Sequence, residues 1–136
     1  MVKFIVVSGP VIIENGKLLV NRDDKDDFYK IPGGTVEAGD SLIDACYRET
    51  KEEINGEIEI IRPLNPMIIY KNPQTAKKMT IVLIHYLAKL KNKEKIMPMP
   101  PIKEVKWLDI GDIKKGKYKV APNIIFLIEK GDIKWK

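Results

Sequence analysis

The chain is poor in the residues that most often do covalent chemistry. Its 136 residues include one cysteine, Cys46, and one histidine, His85. A lone cysteine excludes an internal disulfide. It also leaves a thiol nucleophile with only His85 as a base, so Cys46 reads as a small apolar residue on a helix face. No run of eighteen apolar residues occurs and no signal-peptide pattern stands at the start, which argues against a membrane span and for a cytoplasmic chain. No internal repeat or low-complexity tract appears. Aromatics are few, at 7%, and the lysines are scattered, with no aromatic-studded patch; this argues against a nucleic-acid partner. The formal net charge of +5 still favours anionic ligands.

What is present is the composition of a folded protein, with 44% apolar and 32% charged residues. The length suits one domain over residues 1–136 with a proper core. The Val- and Ile-rich stretch from Lys3 to Ile13 reads as a strand, and Glu14-Asn15-Gly16-Lys17 as a tight turn into a return strand over Leu18–Asn21. A charged loop from Arg22 to Asp27 and an extended approach from Tyr29 to Gly33 follow. Further strands are predicted at Glu57–Ile61, Met67–Tyr70, Thr80–Leu90 and Val105–Leu108. A helix is predicted at Ala121–Lys130, with Pro122 in its first turn and Gly131 as its stop. Met97-Pro98-Met99-Pro100-Pro101 reads as a stiff extended connection. Strands around a central helix, with a second helix closing the chain, predict an α/β fold whose mixed sheet lies between helices.

The central helix concentrates the chemistry. Asp40-Ser41 is a start signal, with Asp44 three residues after Ser41 in an approximate capping box, and Asn55-Gly56 is a stop. Leu42, Ala45, Cys46, Glu49 and Glu53 fall near one face, apolar in its first turns and acidic in its last, with Glu52 close beside. Carboxylates there meet the negative end of the helix dipole, where each costs about 0.3–1 kcal/mol. Glu49 also repels Glu52 and Glu53. Clustered carboxylate oxygens suit Mg²⁺ or Mn²⁺; the alternative is a solvated acidic helix end with Lys51 nearby. Arg48 stands four residues from both Asp44 and Glu52. It reads either as a surface ion-pair ladder or as a fixed guanidinium that orients a metal-binding carboxylate.

Residues 34–56, GTVEAGDSLIDACYRETKEEING, resemble the Nudix box. That box runs glycine, five free positions, Glu, seven free positions, Arg-Glu, an aliphatic, a free position, Glu-Glu, a free position, Gly and an aliphatic. Gly34, Arg48, Glu49, Glu52 and Glu53 match it. At residue frequencies of about 5–7%, five fixed matches arise by chance at roughly 10⁻⁶ per start position. The lead-in Phe28-Tyr29-Lys30-Ile31-Pro32-Gly33 is similar to the family's, and Val105-Lys106-Trp107-Leu108 looks like its late strand, with Trp107 as an anchor. The sequence departs from the box at Asp40, which replaces the first Glu, at Thr50, which replaces an aliphatic, and at Asn55, which replaces Gly with Gly56 one place late. None of these removes a carboxylate of the set.

The resemblance implies a Nudix-like α/β/α sandwich with a mixed β-sheet. It implies a hydrolase that cleaves a diphosphate joining a nucleoside to another moiety, by water attack at phosphorus with Mg²⁺, for which Mn²⁺ substitutes. Glu49, Glu52 and Glu53 are then the metal ligands, with the Gly34 carbonyl as a further one, Arg48 in support, and Glu49 or Glu52 as proton acceptor. Glu104 and Glu94 are either a further acid of that site or ordinary surface residues. Phe28 or Tyr29 either stacks on a base or packs in the core. Asn123 is placed like a base-reading Asn of members that hydrolyse oxidised nucleotides, or is a polar helix-start residue. Tyr70-Lys71-Asn72-Pro73 faintly resembles members that hydrolyse ADP-ribose, and His85 reads as a satisfied strand histidine. The expected partner is a small nucleotide (ADP-ribose, a dinucleoside polyphosphate or an oxidised nucleotide), with no membrane and with a homodimer left open. Two other functions stay open. One is a non-catalytic Nudix module that senses a nucleotide, against which the three glutamates argue. The other is an RNA-binding or RNA-processing role, raised only by the basic charge.

Overall fold

The structure, a computed structural model, describes residues 3–134. Strand β1 (Lys3–Glu14) runs to the Asn15-Gly16 turn, where both residues take positive φ, 52° and 74°. That left-handed pair is what a two-residue hairpin requires. The chain returns as β2 (Lys17–Asp23), but only the hairpin end of β1 pairs with it, at Ile13–Leu18 and Glu14–Lys17. On its other edge β1 runs parallel to β6 (Lys78–Leu90), from Lys3–Met79 to Ile12–Ala88. β2 takes β7 (Ile102–Asp109) as its antiparallel partner.

β1 and β2 therefore splay apart beyond the hairpin. The segment leading into β3 (Gly34–Thr35) fills the opening, and β3 pairs with β1 at Ser8 and Val7. At Gly9 a Cβ would overlap the Pro32 carbonyl and come within 2.9 Å of Gly33 Cα, so only glycine admits the crossing. Strands β4 (Ile58–Pro63) and β5 (Met67–Lys71) pair with different stretches of β6. The order is β4-β6-β1-β2-β7, with β3 beside β1 and β5 beside β6.

Helices cover both faces of this mixed sheet. On one face α1 (Leu42–Ile54) buries Cys46 and Ile54 against Ile12, Leu19, Tyr86 and Leu90. On the other, α2 (Ile110–Lys114) and α3 (Pro122–Glu129) pack Ile110, Ile124 and Leu127 onto Val11, Leu18, Val20 and Leu108. Neighbouring residues such as Val11 and Ile12, or Leu18 and Leu19, thus enter opposite cores. This is why these strands read as unbroken apolar runs. The expected α/β/α sandwich is the observed one.

The differences from the sequence reading are local. Leu42, expected on the buried face of α1, is 38% exposed, and the buried set there is Ala45, Cys46, Glu49, Thr50 and Ile54. α2 was not expected; five residues are too few to show a period, and Asp109 caps it by accepting from the Asp112 N–H at 3.0 Å. Among the described residues no helix is long and apolar enough to cross a membrane.

Candidate active site

α1 starts where Ser41 Oγ accepts the Asp44 N–H at 3.0 Å and ends where Asn55 takes φ 55°. Thr50, a departure from the box, is fully buried and donates its hydroxyl to the Cys46 carbonyl at 2.6 Å; that bond removes the cost of a polar group in an aliphatic's place. The extended segment after β6 is more than a connection. The N–H groups of Met97 and Met99 donate to the Ile54 and Glu53 carbonyls at 3.1 and 3.0 Å. They satisfy the negative end of the helix at the turn that carries the carboxylates.

The face that packs as Cys46 continues as Glu49 and Glu53, at the margin where β1 and β2 part. Glu53 Oε1 accepts from Asn21 Nδ2 at 2.9 Å and from the Gly33 N–H at 3.1 Å. Glu49 presses against Gly34, where a Cβ would overlap the carboxylate and stand 2.5 Å from its Cδ. Glycine at position 34 is thus a clearance for Glu49. Glu52 lies outward, 57% of its side chain exposed.

Arg48 does not form the ladder that its spacing from Asp44 offered. Its guanidinium donates to Glu49 Oε2 at 2.6 Å, Asp40 Oδ2 at 2.8 Å, the Thr35 carbonyl at 3.2 Å and Glu52 Oε2 at 3.3 Å. It ties the loop before α1 to the acidic face, with Asp40 in Asp44's stead. The Arg48 hydrogen bond in turn holds the Asp40 carboxyl below the usual range. Burial raises the pKa of Glu49, against the pull of Arg48. Burial also pushes Glu53 up to about 7, with Asn21 and Gly33 opposing and the Glu49 charge adding to it. Cys46 is driven to about 12 by burial and stays a core thiol.

Two mutually repelling carboxylates, Glu49 buried and Glu53 half-buried, are what a bound cation would relieve. Among the described residues no three His, Cys, Asp or Glu side chains form a ready ligand cluster, because Glu52 is turned to Arg48. The donors nevertheless fit a hard divalent ion. Glu49 Oε1 and Glu53 Oε2 accept no hydrogen bond among the described residues, and Asn21 Oδ1 is buried without a partner on the amide that holds Glu53.

Through Gly33 and Gly34 this margin opens into a cavity of about 250 Å³ on the opposite face of the sheet. Its lining includes the apolar side chains of Val7, Phe28, Ile69 and Leu83 and the polar ones of His85, Asn123, Lys30 and Gln74. Gln74 Nε2 donates to Asp26 Oδ1 at 2.6 Å, and Lys30 Nζ lies 3.0 Å from Asp26 Oδ2, so the two loops that carry these lining residues are clasped together.

The structure brings Gly34, Arg48, Glu49, Glu52 and Glu53 together and joins Phe28 and Asn123 to them through the cavity. Tyr29 and Glu104 stand elsewhere. The Tyr29 ring meets Tyr118 edge-on at 6.2 Å, and its hydroxyl donates to Glu104 Oε1 at 3.1 Å. Glu104 is paired with Arg22 at 2.7 Å. Arg22 and Glu104 are opposite each other, as Asn21 and Val105 are, so strand alternation sends Glu104 to the face away from Glu53. Glu94 sits in the 3₁₀ turn Lys93–Lys95, exposed. Asn21, Gly33, Asp40 and His85 were not read as site residues. Asn21, a buried amide ending the apolar run Leu18–Val20, was the one available signal.

A NUDIX domain family model matches residues 4–127. Over 77 residues the chain is 35% identical to an RNA pyrophosphohydrolase of Campylobacter jejuni, covering 55% of this chain and 49% of that protein. The chain therefore spans about half the length of the curated relatives it matches. A NUDIX hydrolase structure from Nitrosomonas europaea superposes with a TM-score of 0.74 at 21% identity, covering 93% of this chain and 87% of that one. A bifunctional NMN adenylyltransferase/ADP ribose pyrophosphatase from Francisella tularensis, in complex with AMP and a Mn ion, gives 0.67 at 19% identity, covering 96% and 42%. At these identities the structural likeness is one of fold.

Proposed function

Since the chain belongs to the Nudix family, we propose that it is a pyrophosphohydrolase, residues 1–136 acting as one domain on a small nucleotide with a diphosphate bond. The observation that carries this reading is the pair of carboxylates Glu49, buried, and Glu53, half-buried, held against Gly34 and Gly33, which also line a cavity of about 250 Å³. Glu49, Glu52 and Glu53 would hold Mg²⁺, or Mn²⁺ in its place. Such an ion supplies an activated water and neutralises phosphate oxygens.

The chain's own residues do the rest. Asn21 and the Gly33 N–H fix Glu53, and Arg48 fixes Glu49 while leaving its other oxygen free. The proton of the attacking water goes to Glu49 or Glu52. Phe28 and the apolar wall receive the base, and Asn123 offers it a polar contact. Lys30, which lines the cavity and is paired with Asp26, is the candidate cation for the phosphates. The relatives named RNA pyrophosphohydrolase favour a second substrate reading, a 5′-triphosphate RNA end, consistent with the net positive charge. The test is a panel assay with Mg²⁺ and Mn²⁺ over ADP-ribose, dinucleoside polyphosphates, 8-oxo-dGTP, ordinary nucleoside triphosphates and 5′-triphosphate RNA. Cleavage of one class well above the rest names the substrate; no cleavage of any with either metal rejects the enzyme in favour of a sensing module.

A further inference from the structure

His85 lines the cavity, in the column Ile81, Leu83, His85 that alternation along β6 turns to that face. The imidazole is 2% exposed, and its Nδ1 stands 3.2 Å from the carbonyl oxygen of Gly9, its register partner on β1. A carbonyl only accepts, so Nδ1 carries the proton. Burial keeps the ring neutral at physiological pH, with its pKa lowered to about 4. Nε2 is therefore bare and accepts from Asn123 Nδ2 at 2.9 Å.

This fixes which way the Asn123 amide faces. Its nitrogen is committed to His85. Its oxygen accepts no hydrogen bond among the described residues, yet it is not one of the sealed orphan atoms. Asn123 is only 6% exposed and lines the cavity, so that oxygen opens into it. The polar group that Asn123 offers to this largely apolar cavity is then an acceptor.

We propose that His85 is a positioning residue that locks Asn123 with its carbonyl toward the ligand, so that the site selects nucleobases presenting an amino group there, 6-aminopurine or 4-aminopyrimidine, over their oxo counterparts. The proposal rests on the reading that this cavity receives the base. An oxo base would set its oxygen against the Asn123 oxygen, with no donor between them. The amide cannot turn to help, because turning would set its oxygen against bare Nε2. Leaving a buried acceptor unmatched weakens binding about tenfold or more.

The test is calorimetric binding of AMP, IMP, CMP and UMP to the full chain, without metal, alongside a separate hydrolysis assay. Wild type should bind AMP over IMP and CMP over UMP by about tenfold. His85→Leu frees the amide and should erase the preference while leaving AMP bound. His85→Gln should restore it, since a glutamine amide donates to Gly9 through nitrogen and accepts from Asn123 through oxygen; melting curves check that both variants fold. Equal binding of amino and oxo bases by wild type, or binding of none of the four, overturns the proposal. A preference that survives in folded His85→Leu overturns the role of His85. The hydrolysis assay reports on the enzyme reading independently of each outcome.

Discussion

At the scale of residues, glycine 34 makes the sharpest claim. It is conspicuous in the box, and a carbonyl ligand is one explanation of it. The structure supplies another: the Glu49 carboxylate occupies the space where a Cβ would be. Gly34 has no positive φ, so alanine is compatible with its backbone and acts only through that overlap. Gly34→Ala should therefore fold and lose most of its kcat as Glu49 is displaced. Near-wild-type kcat in a folded Gly34→Ala protein would remove Glu49 from the machinery.

Two titratable groups, half-buried Glu53 and buried His85, pull stability in opposite directions with pH. Glu53 has its folded pKa raised from 4.5 to about 7. Its contribution is fully present below the unfolded value and lost as pH rises through the folded one. His85 is lowered from 6.5 to about 4. Its contribution is present above 6.5 and lost as pH falls toward 4. Between roughly pH 4.5 and 6.5 the two slopes oppose each other. Glu53→Gln keeps an oxygen for Asn21 and Gly33 but removes one slope. In EDTA its melting temperature should climb from pH 4.5 to 6.5 more steeply than that of wild type, and should not fall from 6.5 to 7.5 as wild type does. Parallel profiles would mean that Glu53 carries no burial penalty.

The carboxylates were legible because their spacing is local to one helix. Their holders were not. Asn21 and Gly33 lie 32 and 20 residues from Glu53, and only the splay of β1 from β2 brings them there. Arg48 shows the same limit. Helical spacing offered Asp44, but Asp40, on the loop ahead of the helix, holds the guanidinium more firmly.

At the scale of elements, α1 is stable at its acidic end because another segment completes it. Three acids at a helix C-terminus are unfavourable in isolation. The Met97 and Met99 N–H groups cover the last carbonyls, and Asn92 Nδ2 donates to the Asn55 carbonyl at 3.0 Å. Proline runs are readable as extended chain; which helix end such a chain will cap is not, since that depends on packing. Met97→Pro deletes one of these donors on a segment whose neighbour Ile96 already has extended dihedrals. It should cost about 1 kcal/mol, a melting decrease of about 3–5 °C. Unchanged melting would show that water caps the helix equally well. α2 was missed for a related reason: Asp109 caps it locally, but five residues carry too little pattern.

At the scale of the whole molecule, the site is the product of one topological fact. β1 pairs with β6 along most of its length and with β2 only at the hairpin. The opening left between β1 and β2 admits the Pro32-Gly33-Gly34 segment, and that segment separates the carboxylates on one face from the cavity on the other. The strands themselves were legible from their apolar runs; the parting of β1 from β2 was not, because Val11-Ile12 and Leu18-Leu19-Val20 are apolar on both faces and do not mark where pairing stops. A cation at the parting should stabilise the native state by RT ln(1 + [L]/Kd), about 1.4 kcal/mol at ten times Kd, or several degrees of melting temperature. Glu49→Gln/Glu53→Gln should melt higher than wild type in EDTA and respond little to metal; an equal metal response in that double variant would place the ion elsewhere.

The most direct test of the central claim compares wild type with Glu53→Gln for cleavage of the best substrate of the panel, each with Mn²⁺ and with EDTA, on protein shown to be folded. Turnover is expected only in wild type with metal, with Glu53→Gln reduced by about a hundredfold or more, on the order expected when a group acting on the transition state is removed. Cleavage at the wild-type rate by folded Glu53→Gln, or by wild type in EDTA, would contradict it.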